Sequence, residues 1–186
     1  MAKQELNAIG IIELSSISKG YFACDAMLKA AEVELIIART ICPGKYMAMV
    51  AGDVDAVHSS VEAGTVAGDE AIVDTFVIPN VHESIFPAIN AVNEIGKVEA
   101  LGIIETFSVA SLIEAADAAV KAAKVKVIEI RLAMAIGGKA FCTLTGEVAA
   151  VRSAVDAGAH VASNKGLLVN KVVIPSPHPD AVREII

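Results

Sequence analysis

The side chains able to do metal or redox chemistry are few: cysteines at 24, 42 and 142 and histidines at 58, 82, 160 and 178. Cys42 stands apart. Pro43 and Gly44 follow it directly, between two predicted strands, so its thiol belongs to a turn and not to a packed element. Cys24 lies in an Ala-rich helical pattern and Cys142 in a strand pattern, and both read as small core residues. A single thiolate is too few for an iron–sulfur cluster, and no Cys-x-x-Cys or ferredoxin spacing is present. On the residues alone, Cys42 is a free loop thiol, or a ligand only where several copies of the chain share one site. No Gly-x-Ser-x-Gly, phosphate-binding loop or His-rich metal spacing occurs, so the chain is not expected to be an enzyme. His82 and His178 recur at matching places and read as capping or edge residues, while His58 and His160 read as surface residues.

The composition narrows the partners. The 186 residues carry 15 Lys+Arg against 22 Asp+Glu, a formal net charge of −7, with 4% aromatics and no Trp. That leaves neither a phosphate-neutralising face nor a stacking platform, so nucleic acid is not an expected partner. Charges interrupt every apolar run before the roughly 18–20 residues that span a bilayer, and the N-terminal stretch lacks the pattern of a secretory signal, so no membrane partner is expected. Three cysteines in no framework spacing fit a reducing interior. Hydrophobic residues make up 55% and the mean hydropathy is +0.61. Disorder is excluded, and apolar surface buried between subunits would account for the excess.

The chain is a duplication. Ala8-Ile-Gly-Ile-Ile-Glu13 returns as Ala100-Leu-Gly-Ile-Ile-Glu105, and 8–33 matches 100–125 at 13 of 26 positions without a gap. The offset of 92 grows to 94 by Gly44-Lys45 and Gly138-Lys139, then to 96 by Val77-Ile-Pro79 and Val173-Ile-Pro175. Two insertions in the second copy are expected to fall in loops. Two homologous domains follow, at 1–93 and 97–186.

Each copy predicts the same elements. Residues 8–14 and 100–106 read as buried strands, and 18–31 and 109–123 as helices, with Phe22, Ala26 and Ala30 on one face and Asp25 and Lys29 as an i,i+4 pair. Residues 33–40 and 125–132 read as strands, followed by Gly-marked turns and further strands to Val50 and Leu144. Second helices start at Asp53 and Glu147, strands 71–78 and 167–174 follow, and short helices at 81–92 and 178–186 close each copy. The order βαββαβ gives an α+β fold of two tandem ferredoxin-like domains.

These residues resemble the bacterial microcompartment shell family. Its hexamer-forming domain opens with an A-[IL]-G-[ML]-[IV]-E strand, continues with D-A-x-x-K, a G-[SG]-K-like loop and a G-[DE]-V helix start, and closes on V-I-P-x-P-H. This chain has each feature twice, unpermuted, over nearly its whole length. Two fused copies are similar to the tandem-domain members. Arg39-Thr-Ile-Cys-Pro-Gly-Lys45 is similar to the pore loop of the iron–sulfur-carrying members from propanediol-utilisation microcompartments. One departure is that Asn80 and Ser176 stand where many members have an Arg that helps tile packing, so tiling would rest on other contacts, or the protein would be a minor insert among other tiles.

The resemblance implies a homotrimer that forms a pseudo-hexameric tile, located in the cytoplasm in the shell of a bacterial microcompartment. Its partners would be other shell proteins at tile edges and enclosed redox enzymes. Ile41, Cys42, Pro43, Gly44 and Lys45 of the first copy, with Ile136, Gly137 and Gly138 of the second, would be pore-loop residues. Lys29 and Lys121 would lie at tile edges; the alternative is that each is a solvated partner of Asp25 or Asp117. Three Cys42 thiolates about one axis would hold one [4Fe–4S] cluster per trimer, because a cubane has threefold symmetry along its body diagonal. Lys45 would offset thiolate charge, and backbone N–H groups near Gly44 would reach cluster sulfurs. Electron transfer and cluster delivery across the shell are both open roles. The alternatives are a metal-free tile whose pore conducts small metabolites and, from another class, a tandem ferredoxin-like regulatory or ligand-binding module.

Overall fold

The repeated Ala-[Ile/Leu]-Gly-Ile-Ile-Glu run forms a central strand in both copies, and its glycine explains how closely a helix lies on it. A Cβ at Gly10 would meet Val61 and Val57 at 2.5 and 2.6 Å, and one at Gly102 would meet Val155 at 2.6 Å. The computed structural model describes residues 6–90, 92–93, 96–133 and 136–184. It divides into two units between Val81 and His82.

The first unit runs β1 (Ala8–Leu14), α1 (Ile17–Ala30), β2 (Glu34–Ile41), β3 (Lys45–Gly52), α2 (Val54–Gly68), a 3-10 turn at Asp69–Ala71 and β4 (Ile72–Pro79). Its strands order as β2-β3-β1-β4, all antiparallel, which is the ferredoxin-like arrangement. Within the second unit come α3 (Ile85–Ile89), β5 (Ala100–Thr106), α4 (Val109–Ala122), β6 (Lys126–Leu132), β7 (Ala140–Gly146), α5 (Val148–Asn164), β8 (Leu168–Ile174) and α6 (Pro179–Arg183). There the order is β6-β7-β5-β8. Both insertions fall at element ends: one in the turn between β6 and β7, the other around the end of α5, which has 17 residues against 15 in α2.

Local chemistry sets the boundaries. Ser16 and Ser108 adopt extended backbone before α1 and α4, and their side chains accept from the backbone N–H of Lys19 and Ser111. Asn80 ends the β4 segment at φ 55°, a left-handed conformation that Asn tolerates better than most residues. The closing helices are shorter than predicted, at Ile85–Ile89 and Pro179–Arg183. Prolines at 175, 177 and 179 hold the second approach extended up to its first helical residue. Ala91, Ile185 and Ile186, part of those predicted helices, lie outside the described residues.

One core of the first unit joins Ile12, Leu14, Ala23, Met27, Tyr46, Ala48, Val50, Val57 and Val61 between the sheet and its two helices. The buried face of α1 is Gly20, Ala23, Cys24 and Met27. Phe22, on the face predicted from spacing, is exposed. The small residues win the inner face because α1 lies close to the sheet: a Cβ on Gly20 would strike the Tyr46 ring at 2.4 Å. In the second unit an equally close approach is made between helix backbones. A Cβ at Gly158 of α5 would stand 2.4 Å from the backbone oxygen of Ala115 in α4, which cannot swing aside. Gly158→Ala is therefore expected to destabilise the second unit by about 1–3 kcal/mol, despite alanine's better helix propensity, measured as a lower denaturation midpoint. An unchanged or raised midpoint would contradict the close approach.

Candidate functional site

Cys42 sits in a three-residue hairpin connection. Ile41 pairs with Lys45 across β2 and β3, leaving Cys42, Pro43 and Gly44 as the turn. Gly44 has φ +73°, the left-handed conformation such turns place on glycine, and a Cβ there would meet nothing within 4 Å. The Cys42–Pro43 peptide is cis. Pro43 and Gly44 are exposed, Cys42 is half-buried and Ile41 is buried. The corresponding turn of the second unit is longer. Leu132 pairs with Ala140, and Gly137 and Gly138 take φ +66° and +82°. Met134 and Ala135 lie outside the described residues.

Behind each turn stands a repeated ion pair. Lys45 Nζ lies 3.4 Å from Glu13 Oε2, and Lys139 pairs with Glu105. Strand order makes this possible, since β1 lies beside β3 and β5 beside β7. The Lys45 ammonium is thus held back toward β1 and braces the base of the turn. The sequence repeat contains both glutamates and both lysines but does not pair them. The signal was there: all four residues recur in register.

The three thiols differ as their surroundings dictate. Cys24 is buried on α1, where burial and then the neighbouring Asp25 charge raise its pKa. Cys142 is wholly buried on β7, and desolvation pushes it up to about 12. Both are core residues, as expected. Since the thiolate is the reactive and metal-binding form, Cys42 is the accessible candidate. Alkylation of the native metal-free chain is expected to add one group, at Cys42, and denaturation to admit two more; mass spectrometry reads both. Early labelling of Cys142 would contradict its burial. Among the described residues, no three His, Cys, Asp or Glu side chains gather as a metal site. The donor chemistry of Cys42 fits an iron–sulfur cluster only with ligands from further copies.

Lys29 and Lys121 both pair with the aspartate one turn earlier, Asp25 at 2.6 Å and Asp117 at 2.5 Å. The two aspartates nevertheless differ. Asp117 is buried and accepts the His82 backbone N–H at 2.7 Å, whereas Asp25 is exposed. His178 is the N-cap of α6, its Nδ1 accepting the Asp180 backbone N–H at 3.2 Å, whereas His82 lies two residues before the Ser84 N-cap of α3 and accepts the Ser84 backbone N–H at 3.2 Å. His58 and His160 are exposed.

The Asp25/Asp117 contrast extends over a whole face. In the second unit, α3 packs on β6 and α4, burying Ile85, Ala88 and Ile89, and Asn93 donates to the Val127 carbonyl. Residues 82–93, which the repeat assigns to the first copy, thus belong structurally with the second unit. Val109, Ile113 and Val127 there are 1%, 0% and 3% exposed. Their equivalents in the first unit, Ile17, Tyr21 and Leu35, are 41%, 64% and 41% exposed, and Phe22 lies beside them at 60%. The counterpart of α3, the closing helix α6, buries no residue at all.

Comparison with known proteins defines the class. The BMC domain family matches residues 8–81 and 100–177. The chain therefore belongs to the bacterial microcompartment shell proteins and carries their domain twice. It is 47% identical over 179 residues to the bacterial microcompartment shell protein PduT of Citrobacter freundii, covering 96% of this chain and 97% of that one. Over 84 residues it is 51% identical to the shell protein EutM of Salmonella typhimurium, which spans 44% of this chain. A crystal structure of a microcompartment protein from Desulfitobacterium hafniense DCB superposes with a TM-score of 0.94 at 52% identity, over 96% of this chain and 99% of that one. A fused permuted hexameric shell protein from the RMM microcompartment reaches 0.59 at 26% identity, over 84% and 81% of the two chains. These relatives are named as shell or microcompartment proteins and not as enzymes. Among the described residues, no helix is long and apolar enough to cross a membrane.

Proposed function

We propose that three copies of this chain close into a pseudo-hexameric shell tile, and that their three Cys42 thiolates hold one [4Fe–4S] cluster on the ring axis. The observation that carries the ring is the mismatch between equivalent faces. The second unit's α4/β6 face is covered by the 82–93 segment of its own chain, whereas the first unit's α1/β2 face and the α6 segment are both left open. Placing α6 of one copy on α1 and β2 of the next repeats a contact the chain already makes within itself. It also offers Asp25 the backbone N–H of a neighbouring copy's His178, as Asp117 takes that of His82. Such head-to-tail contact closes when the rotation is a fixed fraction of a circle. Two units per chain and six per ring make that number three.

Threefold repetition gives Cys42 the ligand count that one chain lacks. When bound, such a cluster supplies a one-electron redox couple. Cys42 would ligate iron, Pro43 and Gly44 would shape the turn, and the Glu13–Lys45 pair would fix the base of the hairpin against β1. Lys29 and Lys121 would meet neighbouring tiles, shell proteins of other types among them, with enclosed redox enzymes as electron partners. The ring is tested by sedimentation of the full chain: a trimer mass is expected, and a stable monomer at micromolar concentration would overturn it. A trimer that stays colourless after anaerobic reconstitution with iron and sulfide would favour the second reading, a metal-free tile whose pore conducts small metabolites.

A further inference from the structure

Residues 1–93 carry five Lys and Arg against twelve Asp and Glu, whereas 97–186 carry ten against nine. The contrast is sharpest where the first helix of each unit passes into its second strand. There the first unit has Glu32-Val33-Glu34 and the second, at the same places in the repeat, Lys124-Val125-Lys126. In both corners two like charges flank a valine, and all four charged residues are exposed. The basic corner is also concave. Lys97, Lys124 and Lys126 outnumber Glu99 and Glu147 around a cavity of about 510 Å³ at the start of α5, whose N-terminal dipole adds to the positive potential.

We propose that this basic corner receives the Glu32-Val33-Glu34 corner of another copy of the chain. Charge complementarity carries the choice of partner: sign reversal at equivalent positions gives each chain one acidic corner and one basic corner, so copies match in equal numbers. Like corners repel, so contacts between units of the same kind are disfavoured and opposite units are selected. The proposal rests on the ring reading for its consequence: corners of alternating sign around a ring would fix how tiles orient against each other. Lys29 and Lys121, one turn of chain before these corners, carry the same sign in both units and cannot supply that discrimination.

The test uses the full chain, its association followed by sedimentation and light scattering at about 50 mM and about 500 mM NaCl, where screening differs strongly. Wild type is expected to associate beyond its basic oligomer at low salt and to lose that association at high salt. The variants Glu32→Lys/Glu34→Lys and Lys124→Glu/Lys126→Glu are each expected to weaken it about tenfold or more, since attraction becomes repulsion at two pairs. The fourfold combination, with both corners exchanged, is expected to restore it. Failure of that rescue would overturn the proposal, as would unchanged association in either double variant or wild-type association that ignores salt. Titration with inorganic phosphate covers the other occupant: binding lost in Lys124→Glu/Lys126→Glu while association is unaffected would make the cavity a small-anion site and sink the docking role. Failure of the ring reading is separately visible, because the high-salt mass would then be that of a monomer.

Discussion

Replacing Cys42 with serine is expected to abolish cluster binding entirely while leaving fold and oligomer intact. Wild type, reconstituted anaerobically, should hold about four irons and four sulfides per trimer and show the broad visible absorption of a cubane cluster. Serine keeps the size of the side chain, but its hydroxyl stays protonated at neutral pH and is a far poorer iron ligand than a thiolate. In the proposed ring the loss would be complete, because the substitution removes all three ligands at once. Folding should be indifferent, since Cys42 is half-buried in a turn and contributes no core packing. Cys24→Ala and Cys142→Ala provide the contrast. Both thiols are buried, and the repeat places alanine at each equivalent position, Ala116 and Ala48. Each variant should keep the chromophore and lose only some stability. A coloured Cys42→Ser protein, or a colourless Cys24→Ala or Cys142→Ala trimer, would refute the ligand assignment.

Much of the fold was legible because the chain states it twice. A lone Ala-Ile-Gly-Ile-Ile-Glu run could be any buried strand. Its return 92 residues later, with the same helix and turn pattern after it, fixes the unit length and places both insertions. The distinctness of Cys42 was equally visible, since its two fellow cysteines align with alanines and lie on periodic elements. Other features needed coordinates. Spacing put Phe22, Ala26 and Ala30 on one face of α1, correctly as geometry, but an apolar stripe does not say whether it faces its own sheet or another chain. The close approach at Gly20 decides it, and that distance is a tertiary fact. The link from the His82 backbone to Asp117 spans 35 residues and depends on how the 82–93 segment runs over α4. Glu13 and Lys45 are 32 residues apart and meet only because β1 and β3 are neighbours. Repetition revealed which residues matter, and strand order revealed with whom.

The open face of the first unit yields the other large effect. Tyr21→Asp is expected to convert the proposed trimer into folded monomers. In the single chain Tyr21 is 64% exposed and touches Tyr46 only at 4.9 Å between ring centres, so its loss should lower the monomer's thermal midpoint by no more than a few degrees. In the ring the same position would be covered by a neighbouring copy's closing segment, as Ile113 is covered in the second unit. Burying a carboxylate there without a partner costs about 2 kcal/mol at the least. A closed trimer would have three such contacts, so the penalty is at least about 6 kcal/mol per ring, or more than about 10⁴ in the association constant. Ile113→Asp is the matched control. Ile113 is 0% exposed within its own chain, so the same charge there should unfold the second unit itself, at any concentration. One substitution should break assembly and the other folding, at two positions that the sequence repeat makes equivalent. If Tyr21→Asp sediments as a trimer at micromolar concentration, the α1/β2 face is not the ring contact, and Cys42 loses the symmetry that would make it a ligand.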